Sequence, residues 1–218
     1  KPAPAADWPT YNRDLAGTRY SPLKQVNKDN VRNLEQVWSY RLGRNVTTGD
    51  LGGGSEFTPL VIDGVMYVAA ADHIVALAPE TGSVLWRVDT AEWAPPSRRG
   101  LAYWPGDGDI PYRIYVTSSN QLMVLSPSDG ETFTVAMPAS YNSAPLVYGN
   151  LLIIGSNGAP GGVRALDART GKQVWEFLSV PQPGELGHET WLNDAWRNHP
   201  NLFHWAFSMT LDPELGLL

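Results

Sequence analysis

The sequence contains no cysteine, only four histidines, and no uninterrupted apolar stretch of membrane-spanning length. Without cysteine there is no disulfide, no thiolate nucleophile and no cysteine-ligated metal, although the compartment stays open on this count. A bilayer-crossing helix needs roughly 18 to 20 apolar residues in a row. The opening KPAPAADWP lacks the apolar core of a secretion signal, so the expectation is a soluble, mature chain. Basic residues are also scarce: 16 Lys and Arg stand against 22 Asp and Glu, a net charge of −6. Neutralising phosphates takes clustered Lys and Arg, so nucleic acid is not an expected partner. His73, His188, His199 and His204 show no H-E-x-x-H spacing, and Pro200 interrupts the one stretch where His199 and His204 could share a helical face. No G-x-S-x-G elbow is present, and no carboxylate pair stands out from ordinary surface acids. Serine-hydrolase and glycosidase chemistry are thereby set aside.

What the chain has is turns and a repeat. With 21 Gly and 18 Pro in 218 residues, tight turns between short strands are favoured over long helices. The segment TPLVIDGVMYVAAADHIVALAPETGSVLWRV (58–88) returns, modified, as SAPLVYGNLLIIGSNGAPGGVRALDARTGKQVWEF (143–177). Each copy runs apolar strand, Gly turn, apolar strand, loop and an A-L-x-x-x-T-G-x-x-x-W signature. VLSPSDGETFTV (124–135) reads as a degraded copy that keeps Gly130 and has Thr134 in the Trp place. The Trp positions are then Trp38, Trp86, Thr134 and Trp175, spaced by 48, 48 and 41 residues. That period matches one four-stranded propeller blade of about 40–50 residues. Alternating Val65, Tyr67 and Val75, Leu77 read as strands with one buried face, and the Trp closing each unit is a wedge that can fill space between radial sheets. The expected fold is an all-β propeller of about four blades near 34–88, 89–135, 143–177 and 178–218, after an N-terminal extension at 1–33. The alternative is a β-sandwich with fortuitous T-G hairpins. FSMTLDPELGLL ends the sequence on the start of a strand, which leaves three readings open: a fragment, a partner chain, or a short propeller.

DWPTYNRDLAGTRYSPLKQVNKDNVRNLEQVWSYRLG, ALDARTGKQVW, RGLAYWPGDG and DPELGLL, taken in order, resemble the quinoprotein alcohol and glucose dehydrogenases. That family has eight-bladed propellers carrying pyrroloquinoline quinone (PQQ) and usually calcium, and the chain resembles its N-terminal part, roughly half of the propeller. The resemblance implies that Arg99 pairs with a PQQ carboxylate, a role that suits a planar guanidinium fork. It implies that Glu56 lies near the quinone end of the cofactor. Asn142 stands where the family often has a hydroxyl residue touching PQQ, and its amide can still donate a hydrogen bond. Ser156, Asn157, Gly158 and Ala159 resemble the loop that closes around the ring, and Trp205 falls near the tryptophan that forms its floor.

Two departures bear on chemistry. Pro160 occupies the place of a calcium-binding glutamate and has no side-chain oxygen to offer a hard cation, which makes calcium doubtful here. Trp93 and Ala94 stand where an adjacent cysteine pair is often found. The family's catalytic aspartate and asparagine ligand would lie beyond Leu218, so the catalytic base is unknown; Asp194, His188 and His204 have no spacing that identifies one. Two functions follow as expectations. One is a periplasmic or secreted PQQ-dependent dehydrogenase, or its N-terminal part, that oxidises an alcohol or aldose sugar and passes electrons to a cytochrome or quinone, with a second chain or C-terminal half completing the ring. The other is a propeller scaffold that has lost calcium, base and turnover.

Overall fold

In the computed structural model, the structure describes residues 4–43, 58–70, 72–90, 92–97, 99–156, 161–198 and 209–218. Three antiparallel sheets follow one another along the chain. The first holds β1 (Leu60–Ile62), β2 (Val65–Ala69), β3 (His73–Leu77) and β4 (Val84–Asp89). The second holds β5 (Ala102–Trp104), β6 (Arg113–Leu125) and β7 (Thr132–Tyr141), and the third β8 (Leu146–Tyr148), β9 (Leu151–Gly155), β10 (Gly162–Asp167) and β11 (Gln173–Leu178). In each sheet the strands neighbour one another in sequence order. In the second, one long strand does the work of two: the first part of β6 pairs with β5, and the part from Ser119 onward pairs with β7.

Side-chain parity explains how the sheets stack. Along β6, Ile114, Val116, Met123 and Leu125 pack against Leu60, Tyr67, Ile74 and Trp86 of the first sheet. The intervening Tyr115, Leu122 and Val124 pack against Leu152, Ile154 and Leu166 of the third. Strand side chains alternate between faces with period two, so the middle sheet buries both faces. The first sheet does the same, with Val68, Val75 and Leu77 turned to Trp38, Tyr40 and Leu42. The strands expected to bury one face therefore bury two, because a neighbour lies on either side. Strands β5 and β8, which begin their sheets, touch one another, whereas β4 and β11, which end theirs, expose Leu85, Val174 and Phe177. Sheets that converge at their first strands and part at their last form blades around a common axis.

Trp and Gly couple one blade to the next. Trp38 Nε1–H donates to Pro79 O at 2.9 Å, and Trp86 Nε1–H to Pro127 O at 2.8 Å. Each indole lies over the glycine of the next turn, Gly82 (φ +69°) and Gly130 (φ +77°), where a Cβ would stand 2.6 and 2.8 Å from ring carbons. Only glycine satisfies both demands, the left-handed φ and the absent Cβ. At the third such turn the side chain over Gly171 is Val135, not Thr134, which is exposed. The reason is a bulge. Between Ala76 and Leu77, and again between Ala165 and Leu166, the pairing shifts by one residue, but β7 pairs with the end of β6 without one. A one-residue change of register exchanges the faces of every following side chain.

Outside the sheets, Trp8 forms an antiparallel bridge with Val61 that extends the edge of β1. After β11 the described residues contain a helical turn at His188–Thr190, the short helix α1 (Ala195–Asn198) and a bridge between Asp212 and Leu217; no sheet is described within 178–218. Leu211 and Met209 nevertheless lie on the outer face of the third sheet against Trp175. No helix among the described residues is long and apolar enough to cross a membrane.

Gly130→Ala tests the coupling. A left-handed alanine costs about 1–2 kcal/mol, and crowding the Trp86 ring adds about 1–3 kcal/mol. Gly149 (φ +55°) has no atom within 4 Å of its Cβ position, so Gly149→Ala suffers the backbone cost alone. Urea unfolding is expected to place Gly130→Ala well below Gly149→Ala in stability, and equal losses would mean that the Trp contact contributes nothing.

Candidate functional site

Glu56, Arg99 and Asn142 each lie three or four residues before the first strand of a sheet, ahead of β1, β5 and β8 in turn. Repetition of one blade plan carries the entry segments of β5 and β8 to one end of the stack. Glu56 lies outside the described residues, as do Asn157, Gly158, Ala159, Pro160 and Trp205. Arg99 and Asn142 are described, and they line one cleft of about 420 Å³ together with Ala94, Pro95, Pro96, Ser97, Ser119, Ser140 and Tyr141.

Hydroxyl groups hold this cleft in shape. Ser97, which is buried, donates from Oγ to the Asn142 carbonyl at 2.5 Å and accepts the Arg99 amide N–H at 3.1 Å. Its own N–H donates to Thr117 O at 2.7 Å. The Thr117 hydroxyl donates to Ser143 O at 2.9 Å, and that of Ser118 to Ala94 O. The strap carrying Arg99 is thus tied both to β6 beneath it and to the Tyr141–Ser143 segment opposite. Ser119 sits at φ +52°, where the pairing of β6 shifts. A left-handed serine stores strain that its surroundings must hold, and here it forms part of the cleft wall.

Among the nine described residues that line the cleft, one carries a cation, several carry hydroxyls and none is acidic. Tyr141 also lies in the core between the second and third sheets, where burial raises its hydroxyl pKa and nearby Arg164 opposes the rise. It remains a neutral phenol at physiological pH. The chemistry suits a flat or elongated anion: guanidinium for a carboxylate, and hydroxyl and amide donors for carbonyl oxygens. A second cavity, of about 300 Å³, lies between residues 9–17, β5, Ala144–Val147 and Met209–Leu211. An acidic ligand would meet Asp14 there and no cation among the described residues.

Ser156 closes on itself, exchanging hydrogen bonds with Gly162 through N–H and Oγ, and is buried. Asp194 forms an exposed ion pair with Arg197 at 3.7 Å. His188 donates from Nδ1–H to Pro181 O at 3.0 Å and packs edge-on against Trp196. Neither lines the cleft. Sequence reasoning missed Ser97, Ser119, Ser140 and Tyr141; scattered serines carry no spacing signal, and only the folded sheets bring them together. No group of three metal-ligating side chains is found among the described residues.

The family model for the "PQQ: Glucose/ethanol/alcohol dehydrogenase, beta-propeller domain" matches residues 8–218. The subunit 1 of the methanol dehydrogenase [cytochrome c] of Methylorubrum extorquens is 32% identical over 88% of this chain and 36% of its own length. The quinohemoprotein alcohol dehydrogenase ADH IIB of Pseudomonas putida is 35% identical, covering 97% of this chain and 33% of its own. The solved structure of the quinohemoprotein alcohol dehydrogenase ADHIIG from Pseudomonas putida superposes with a TM-score of 0.79 at 29% identity, over 97% of this chain and 33% of that one. The chain spans about a third of the length of these relatives. With the match running in order through all three sheets, this chain belongs to the family of PQQ-dependent alcohol dehydrogenase β-propellers.

Proposed function

We propose that this chain holds part of the PQQ site of a periplasmic dehydrogenase that oxidises an alcohol. The observation that carries the reading is the meeting of Arg99 and Asn142, which precede different sheets, in one cleft with no acidic residue among its described lining. The donor set fits PQQ, a planar quinone bearing carboxylates. When bound, the quinone supplies a two-electron acceptor for a hydride from the alcohol carbon. The role of the chain is to hold it. The Arg99 guanidinium binds a carboxylate, the Asn142 amide and the Ser119 and Ser140 hydroxyls donate to oxygens, and Ser97 fixes the two sides of the cleft relative to each other. By family resemblance Glu56, Asn157, Gly158, Ala159 and Trp205 complete the cradle at the quinone end, around the ring and beneath it.

Alcohol is preferred to an aldose as substrate because the relatives at 32–35% identity are methanol and alcohol dehydrogenases. Electrons pass to a cytochrome or a quinone. One relative is named for cytochrome c, and another, the dehydrogenase subunit of the alcohol dehydrogenase (quinone) of Gluconobacter oxydans, for a quinone. The proton acceptor for the alcohol hydroxyl is assigned to no residue of this chain. Further blades are placed against the outer faces of the stack, where residues 38–42 and 209–211 now lie.

The test is a titration with PQQ followed by quenching of the nine tryptophans. Saturable, one-to-one quenching is expected. A hydrogen bond to a charged group contributes about 1.5–3 kcal/mol, so Arg99→Ala should weaken binding roughly 10- to 100-fold. Quenching that never saturates, or that Arg99→Ala leaves unchanged, would remove the reading. Ser97→Ala, which removes the tie between the two sides of the cleft but neither Arg99 nor Asn142, is expected to weaken binding by a smaller factor and to lower stability by about 1–3 kcal/mol, read by thermal unfolding. Since Pro160 offers calcium no side-chain oxygen, the affinity of this chain for PQQ should be the same in excess chelator as in excess calcium; a chelator-induced loss would show that the metal is bound through other ligands.

A further inference from the structure

We propose that Arg164, in the interior of the third sheet, is a positioning residue for the PQQ cleft, acting through Tyr141. The inference rests on the cofactor reading above and extends it to a residue that touches no ligand. Arg164 lies on β10 and is 1% exposed. Its Nη1–H donates to the Tyr141 hydroxyl at 3.1 Å, and its Nη2–H to the carboxylate of Glu176, its cross-strand partner on β11. Tyr141 ends β7, pairs with the strained Ser119 of β6, and immediately precedes Asn142. All three of these residues line the cleft.

As a stabilising device the arrangement is poor. A buried guanidinium bears a large desolvation cost that a single carboxylate with a partly exposed side chain recovers only in part, and apolar residues of equal volume commonly serve a core as well or better. The Nε–H of Arg164 is buried and meets no acceptor among the described residues, which adds to that cost. What the cation does, and an apolar residue could not, is grip the far end of the Tyr141 side chain. Asn142 is then held at two points: its own carbonyl by the Ser97 hydroxyl, and the preceding residue by Arg164 across the gap between sheets. The same charge adds positive potential behind a wall that faces an acidic ligand, in a low-dielectric interior where such potentials reach further.

The experiment measures PQQ affinity by tryptophan quenching in the wild type, Arg99→Ala, Arg164→Met, Arg164→Lys, Tyr141→Phe and the Arg164→Met/Tyr141→Phe double variant, with urea midpoints for each. Arg164→Met is expected to weaken binding about tenfold, the low end of what loss of an outer-shell partner costs a metal site. Arg164→Lys, which keeps the cation and a donor, should recover most of that loss, whereas a purely structural role would give affinities that follow the urea midpoints. Tyr141→Phe keeps the ring in the core and the ion pair intact, and should lose affinity too; because both single changes cut the same link, the double variant should lose less than the product of the two. Wild-type affinity in Tyr141→Phe, or losses that multiply, would overturn the proposal even if Arg164→Met failed to fold. A wild type that does not bind PQQ, or binds it regardless of Arg99, would overturn the cofactor reading and this inference with it; normal Arg99-dependent binding in both Arg164→Met and Tyr141→Phe would overturn this inference alone.

Discussion

The middle sheet has no face to give to water. Ile114, Val116, Met123 and Leu125 need one apolar neighbour, and Tyr115, Leu122 and Val124 another. A sheet of that kind is stable only between two others, and each neighbour inherits the same requirement on its far side, where Trp38 and Tyr40, or Met209 and Leu211, now stand. The glycine turns set the spacing. Gly82 and Gly130 let an indole approach the backbone more closely than any side chain would allow, and the indole N–H finds a carbonyl on the same turn. The contact combines apolar burial with a directed hydrogen bond, so it fixes orientation as well as distance.

The cleft follows from that stacking. Sheets that converge at their first strands bring together the loops leading into those strands, and the polar residues there cannot all reach solvent. Ser97, Thr117 and Ser143 are buried and satisfy one another and the local backbone. The result is a rigid rim with one guanidinium on it, built from hydroxyls whose partners are main-chain carbonyls. A proposed anion site of this type would be organised before its ligand arrives, which lowers the ordering cost of binding.

The fold was legible in the chain because its requirements recur. Trp38, Trp86 and Trp175 each close an equivalent unit, and the T-G and D-G turns mark where each last strand begins. Thr134 was misread by one residue, since the bulge that sets the face of Trp86 and Trp175 is absent before β7. Bulges are decided by pairing across strands, and a period counted along one strand does not contain them. The two buried faces of β2 and β3 were missed for a related reason: an alternation of apolar residues says that faces exist, but the number covered depends on what packs from outside.

The candidate site divides in the same way. Sequence alone determined the residue types that can hold an acidic quinone: Arg99 before G-L-A-Y-W, Asn142 before S-A-P-L, and a Pro160 without a ligand oxygen. These depend on local motif and side-chain chemistry, which the order of residues carries directly. Tertiary structure alone decided that Arg99 and Asn142 share one cleft, that Ser97 joins them, and that Arg164 reaches Tyr141 from another sheet. Those contacts join residues far apart in the chain, and they exist only because apolar faces force the sheets into a stack that brings the loops together.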